Sequence, residues 1–560
     1  MKVKNKILII LILIIVVVVF FFSGIYFLYG DKLGIVRDNL RLVVDFATVD
    51  LFEENKREID VTNYNIDIEL FPRKEKIVAK TRVIGLIRNK KKIELDFCDN
   101  FNIHSVQLNN STADYYFDGN KLVIENNEIN SDTFEVSVSY EGTPKNLGFG
   151  SFAFTEWKDD IMVSTLNEPV FASTWFPCND TPADKALLNI SITADSEMVS
   201  VSNGKLISVE KKGEKTKYNW LTVYPIATYL IAIYSAPYQS FNQQYVGLYS
   251  DTMNIDYYVL PDKLEDAEFA FADHPSYLKT LSDLYGEYPF IKEKYGAAQI
   301  NWSQGAMESQ TITGIGTNFI SKAKFFSSMM LHEVAHSWWG NSVTPKSWKD
   351  IWLNEGFATY SEALYWEKTK GKSALISTME SFRVENDVET LYAPKMNIFS
   401  KMIYNKGAWV LHMLRRELGD TLFFKTLRNY YKKFQYGNAD TYDFKKVCEE
   451  TSGKDLRKFF DQWVFVGKGK IEIDYKWDIK NSEKNKKELS ISLAQTQNGY
   501  EWYDFPIDIL IKEDSGNEFT LTRYITSKDT VISFDIPDDF SSFEFDPESW
   551  LLVSIRSLEK

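Results

Sequence analysis

Two of the five histidines in this 560-residue chain stand four positions apart, in the run Leu331-His332-Glu333-Val334-Ala335-His336. In a helix that spacing sends both imidazoles out of one face, where they can share one metal ion. Glu333, one position round, can reach a water on that ion. The chemistry such a trio offers is hydrolysis, with the metal activating water and the carboxylate taking its proton. A catalytic zinc needs a third protein ligand and an open fourth position. Glu355, in Trp352-Leu353-Asn354-Glu355-Gly356-Phe357-Ala358, opens the next helical pattern and is the candidate. Glu362 lies seven residues on, hence on the same helix face, and could take the second N–H of a ligating imidazole; a solvated helix glutamate is the plain alternative. A structural zinc would fill all four positions with Cys or His, and no third His or Cys is near.

Helices must hold these side chains, and the apolar spacing supplies them. Between about 265 and 465 apolar residues recur at three and four, as in Leu411, Leu414 and Leu418, then Phe423, Phe424, Leu427 and Tyr431. On either side the period is two. Tyr64, Ile66, Ile68 and Leu70 alternate with polar residues before the helical stretch, as do Leu489, Ile491 and Leu493 after it. The Lys/Glu-rich residues 480–488 read as a hairpin turn. The expected architecture is therefore multi-domain α+β: an N-terminal antiparallel β domain (55–245), a mainly helical catalytic domain (246–468) and a C-terminal β-sandwich (469–560).

Charged residues make up 25% of the chain and the net charge is −14, which argues against a nucleic-acid binder. Three distant cysteines, Cys98, Cys178 and Cys448, exclude a disulfide scaffold. Residues 7–30 carry no charge, and about 24 residues make ~36 Å of helix, enough to cross a bilayer. Lys2, Lys4 and Lys6 precede the run. The expectation is a cytoplasmic tail and single transmembrane anchor (1–30), a linker (31–54) and a catalytic domain outside the cell, at the cell membrane. A cleaved signal peptide is the alternative, though the run is long for one.

The block from His332 to His336, then residues 338–344 and 352–358, resembles the aminopeptidase N and leukotriene hydrolase family of zinc metallopeptidases, the gluzincin aminopeptidases. Gly305-Ala306-Met307-Glu308-Ser309 is similar to that family's G-x-M-E-N segment, and Tyr404-Asn405-Lys406-Gly407-Ala408 to its Y-x-K-G segment. Residues 177–186, Pro-Cys-Asn-Asp-Thr-Pro-Ala-Asp-Lys-Ala, resemble its P-C-x-D-x-P-x-x-K-A segment. The order fits from about Thr62 to the C-terminus. The resemblance implies a thermolysin-like catalytic domain and one Zn²⁺ on His332, His336 and Glu355. It makes Glu333 the general base and Tyr404 the donor to the oxyanion. Read without the family, Tyr404 is one tyrosine among 31. Glu168 and Glu308 would bind the α-ammonium of a peptide with a free N-terminus, and Gly305, Ala306 and Met307 would pair with its backbone as an added strand. Leu166 and Ser309 depart from the family pattern, where glutamine and asparagine are usual. The rival functions are an epoxide-hydrolase-like zinc hydrolase and an inactive peptide-binding domain on the same scaffold. The preferred N-terminal side chain and the oligomeric state stay open.

Overall fold

The computed structural model describes residues 51–558, apart from 53–57, 89–91, 126–130, 159, 385–388, 396 and 482–486. Strand Ile59–Phe71 buries Tyr64, Ile66, Ile68 and Leu70 and turns the intervening residues outward, as its alternation requires. It sits inside a nine-stranded sheet, beside a four-stranded and a three-stranded one. The sheet is not purely antiparallel: Ile59–Phe71 pairs with Lys185–Asp195 in parallel register, Asn63 opposite Leu187 and Glu69 opposite Thr193. Period-two alternation reports which face is buried and carries no strand direction, so this pairing was invisible to it.

The segment expected to be catalytic opens on a five-stranded mixed sheet, in the order Gln239–Val246, Thr252–Val259, Tyr295–Ile300, Thr313–Gly316, Ala306–Met307. Its first hairpin straddles the expected boundary between residues 245 and 246. Tyr295–Ile300 is buried at every position. A strand covered on both faces loses its alternation, and the sequence pattern accordingly passed it over. Against the sheet pack α1 (His274–Tyr285) and α2 (Ser327–Ala335), and on these helices and one another pack α3 (Trp352–Lys370), α4 (Gly407–Leu418) and α5 (Asp420–Phe434). Helices α3 and α4 cross at a glycine contact: a Cβ on Gly356 would lie 2.8 Å from the Gly407 Cα. Only a residue without a side chain lets the two backbones come so close.

The C-terminal residues form a four-stranded and a three-stranded sheet, with strands Ile471–Asn481 and Lys487–Gln495 paired antiparallel across residues 482–486. The expected membrane placement is corrected. Among the described residues no helix is long and apolar enough to cross a membrane. The run 7–30 on which the anchor, the cytoplasmic tail and the extracellular catalytic domain all rested lies outside the described residues, as does most of the linker 31–54. Helix α4 buries Trp409, Val410, Leu411 and Leu414 within the core.

Candidate metal centre and active site

Helix α2 ends at Ala335, and His336 caps it with helical dihedrals, its N–H still bonded to the His332 carbonyl. Both imidazoles therefore leave the same face. Glu355 comes to them from the first turn of α3, where the helix dipole favours a carboxylate. His332 Nε2 lies 3.3 Å and His336 Nε2 3.4 Å from the same oxygen, Glu355 Oε2. One ligand atom from each of the three residues falls within a span of 4.8 Å, and all three are buried.

The outer nitrogens are fixed as well. His332 Nδ1 donates to Glu362 Oε1 at 3.0 Å, and His336 Nδ1 donates to the Trp339 carbonyl at 3.0 Å. With Nδ1–H engaged outward, each ring presents a lone pair on Nε2 inward, the tautomer a metal ligand needs. Glu362, expected from its helix face to take the second N–H of a ligating imidazole, lies against His332 Nδ1. The Trp339 carbonyl had no side-chain signal by which to be found.

Three further carboxylates face this centre, and each holds a buried oxygen without a hydrogen-bond partner: Glu168 Oε1, Glu308 Oε1 and Glu333 Oε2. Glu168, Glu308 and Glu355 also bring carboxylate oxygens within 4.8 Å of one another. Glu168 comes from the N-terminal β domain, Glu308 from the loop after the edge strand Ala306–Met307. Burial, and then the charge of Glu308, push the Glu168 carboxyl well above the usual range. Burial likewise raises Glu308. It lifts Glu333 to about 7, against the pull of His332 and His336. Glu355 goes the other way: burial pushes it up, but the charges of and hydrogen bonds from His336 and His332 outweigh this and bring it down to about 2. So many carboxylates in one dry cleft call for cations. A zinc ion fits this set, with two imidazoles and a carboxylate as donors and unpaired carboxylate oxygens left over beside it.

Tyr404 lies half-buried in the wide helical turn Met402–Lys406 that leads into α4. Its ring stacks over His332 at 5.7 Å and 20°. Burial, followed by the charges of Glu355, Glu168, Glu308 and Glu333, holds its phenol protonated far beyond neutral pH. It is thus a lasting donor. Ala306–Met307 pairs on one side with Thr313–Gly316 and ends its sheet on the other. A Cβ at Gly305 would meet nothing within 4 Å, so the backbone there is open to an extended ligand. Asn341 Nδ2 donates to the Glu308 carbonyl at 2.7 Å, fixing this strand to the loop after α2. Tyr229, raised by burial and then by Glu308 and Glu168, closes the same side and donates to the Gly340 carbonyl. Neither residue had been singled out. Of the two departures from the family pattern, Leu166 is buried in the core and Ser309 Oγ is 2.9 Å from the Tyr234 hydroxyl.

Comparison with known proteins gives the family and the fold. The peptidase M1 N-terminal domain matches residues 61–230 and the peptidase family M1 domain matches 269–463. Aminopeptidase 2 of Candida albicans is 29% identical over 391 residues, covering 62% of this chain and 42% of its own. The alanine/arginine aminopeptidase of Saccharomyces cerevisiae is 26% identical over 484 residues, covering 77% and 55%. The chain thus spans about half the length of the curated relatives it matches. Among solved structures, Legionella pneumophila aminopeptidase A, determined in complex with aspartic acid, superposes with a TM-score of 0.79 at 19% identity, over 90% of this chain and 60% of that one. The M1 zinc metallopeptidase of Deinococcus radiodurans gives 0.65 at 23%, over 73% and 94%. These two likenesses speak to the fold. Together the two family segments take in more than half of the sequence and contain every residue of the site, and the chain belongs to peptidase family M1.

Proposed function

We propose that this chain is a zinc aminopeptidase that removes N-terminal residues from peptides. The observation that carries the reading is the set of unpartnered, buried carboxylate oxygens on Glu168, Glu308 and Glu333 beside the donors of His332, His336 and Glu355. A zinc ion on those donors supplies Lewis acidity at the scissile carbonyl and makes water a better nucleophile. The rest falls to the chain's own side chains. Glu333 accepts the proton of the attacking water at its free Oε2 and returns it to the leaving amine, and a carboxyl lifted to about 7 suits both tasks. Tyr404 donates its phenolic hydrogen to the oxygen on which charge builds up. Glu168 and Glu308 pair with the substrate ammonium, whose charge relieves their mutual repulsion. The free edge of Ala306–Met307 aligns the peptide backbone.

Because the ammonium is gripped by two buried carboxylates, activity must depend on it. Removing one member of a desolvated charge pair typically costs about 3–5 kcal/mol, or roughly 10²–10³-fold or more in kcat/KM. An N-acetylated peptide should be cleaved at least about a hundredfold more slowly than its free-amine twin. Glu308→Ala should erase most of that preference, and Glu168→Ala should also reduce it. Equal kcat/KM for blocked and free peptides on the unaltered protein would sink the aminopeptidase reading and leave a zinc hydrolase.

A further inference from the structure

We infer that Lys406 is a positioning residue through which the C-terminal β-sandwich sets the orientation of Tyr404; the inference rests on the role given to Tyr404 above. The turn Met402–Lys406 is held from two sides. On one, Gly407 abuts Gly356, the residue next to the metal donor Glu355. On the other, the wholly buried Lys406 sends its Nζ out of the catalytic helices to the Gly467 carbonyl, 3.1 Å away, at the junction with the sandwich.

That carbonyl cannot drift. The Gly467 N–H donates to the Asp461 carbonyl, and a Cβ at Gly467 would sit 1.8 Å from the Gln462 carbonyl oxygen. Gln462 in turn exchanges two hydrogen bonds with the backbone of Asp504, at 2.7 and 2.9 Å. The Tyr503 hydroxyl donates to the Lys468 carbonyl, and Tyr503 stacks on Trp463 at 4.4 Å. Further along α4 the docking continues. The His412 ring stacks on Trp550 at 4.6 Å and donates through Nε2 to the Ser549 carbonyl, while Arg416 grips both Asp508 oxygens at 2.7 Å. The helix that begins at Tyr404's turn therefore lies on the sandwich along its length. A buried ammonium is expensive to desolvate, and an apolar side chain would fill the space at lower cost. What the lysine adds is direction: a tie from the second residue after Tyr404 to a fixed acceptor at the junction with the sandwich. A misplacement of about 1 Å can cost on the order of a hundredfold in rate.

The test is a double-mutant cycle on the full chain, loaded with zinc. Lys406→Met should lower kcat by about 10–100-fold with KM changed less than about threefold and with zinc content retained. In the Tyr404→Phe background the same substitution should cost almost nothing further. Hydrogen exchange should quicken in residues 400–410 and stay unchanged in 327–336. An additive loss, a loss in KM alone, or unaltered exchange in 400–410 overturns the inference. Should Lys406→Met not fold, Asp508→Asn reads the same coupling from the sandwich side, and an additive loss there overturns it equally. If the unaltered protein hydrolyses no aminoacyl amide, the aminopeptidase reading itself has failed. If Tyr404→Phe is impaired while Lys406→Met is silent, only the present inference has.

Discussion

At the scale of single residues, the proposed roles separate holding a metal from moving a proton. Glu333 is one position from a metal donor, yet its Oε2 is buried without a partner and faces the cleft rather than completing the donor set. Glu333→Gln should therefore keep its zinc, measured by metal analysis, while turnover falls about 10²–10⁴-fold. A variant that kept more than a tenth of the activity with zinc bound would falsify the general-base role. The same scale shows what sequence could and could not supply. His332, Glu333, His336 and Glu355 announce themselves by type and spacing. Tyr404 and Glu168 do not: the first lies in an irregular turn and the second in a loop of another domain, and only family resemblance raised them. The Trp339 carbonyl, Asn341 and Tyr229 escaped altogether, because a backbone oxygen has no residue type and neither side chain has a spacing relation to the metal donors.

At the scale of elements, the donors are only as well placed as the crossing of α3 and α4. The Gly356–Gly407 contact puts Glu355 and the Tyr404 turn on adjoining backbone, with no side chain between to take up slack. A methyl group on Gly356 would press on the Gly407 Cα and carbonyl carbon at 2.8 and 2.9 Å, backbone that cannot swing aside. Gly356→Ala should cost about 1–3 kcal/mol of stability, seen as a lower Tm. It should also weaken zinc binding, since Glu355 moves with the helix. Unchanged Tm and zinc affinity would show that the crossing is slack. Helices were legible here because their apolar stripes are long and regular, whereas the fully buried strand Tyr295–Ile300 and the parallel pairing of Ile59–Phe71 were not. Both are tertiary facts: one depends on cover from two sides and the other on strand direction.

At the scale of the whole molecule, the N-terminal domain reaches the loop after α2 through Lys185, whose Nζ donates to the Asn341 and Ser342 carbonyls at 2.9 Å each. Burial pushes its ammonium down to about 7. In the unfolded chain the same amine stays protonated to about 10.4. Between these values the unfolded state binds more protons, so Lys185 makes stability rise with pH across that window and weighs most heavily on the fold below it. Lys185→Met removes this dependence. The Tm difference between the two proteins, followed from pH 6 to 10, should move in favour of the unaltered protein as pH rises; a constant difference would refute the burial argument. The site's own chain geometry has a consequence for how it comes into being. His332 and Glu355 are separated by 23 residues, whereas Glu168 and Glu308 are about 140 apart in different domains. Closing the longer loop costs about 1.6 kcal/mol more in chain entropy. In a refolding chain the two imidazoles and Glu355 are therefore gathered at lower entropic cost than the carboxylate pair drawn from two domains.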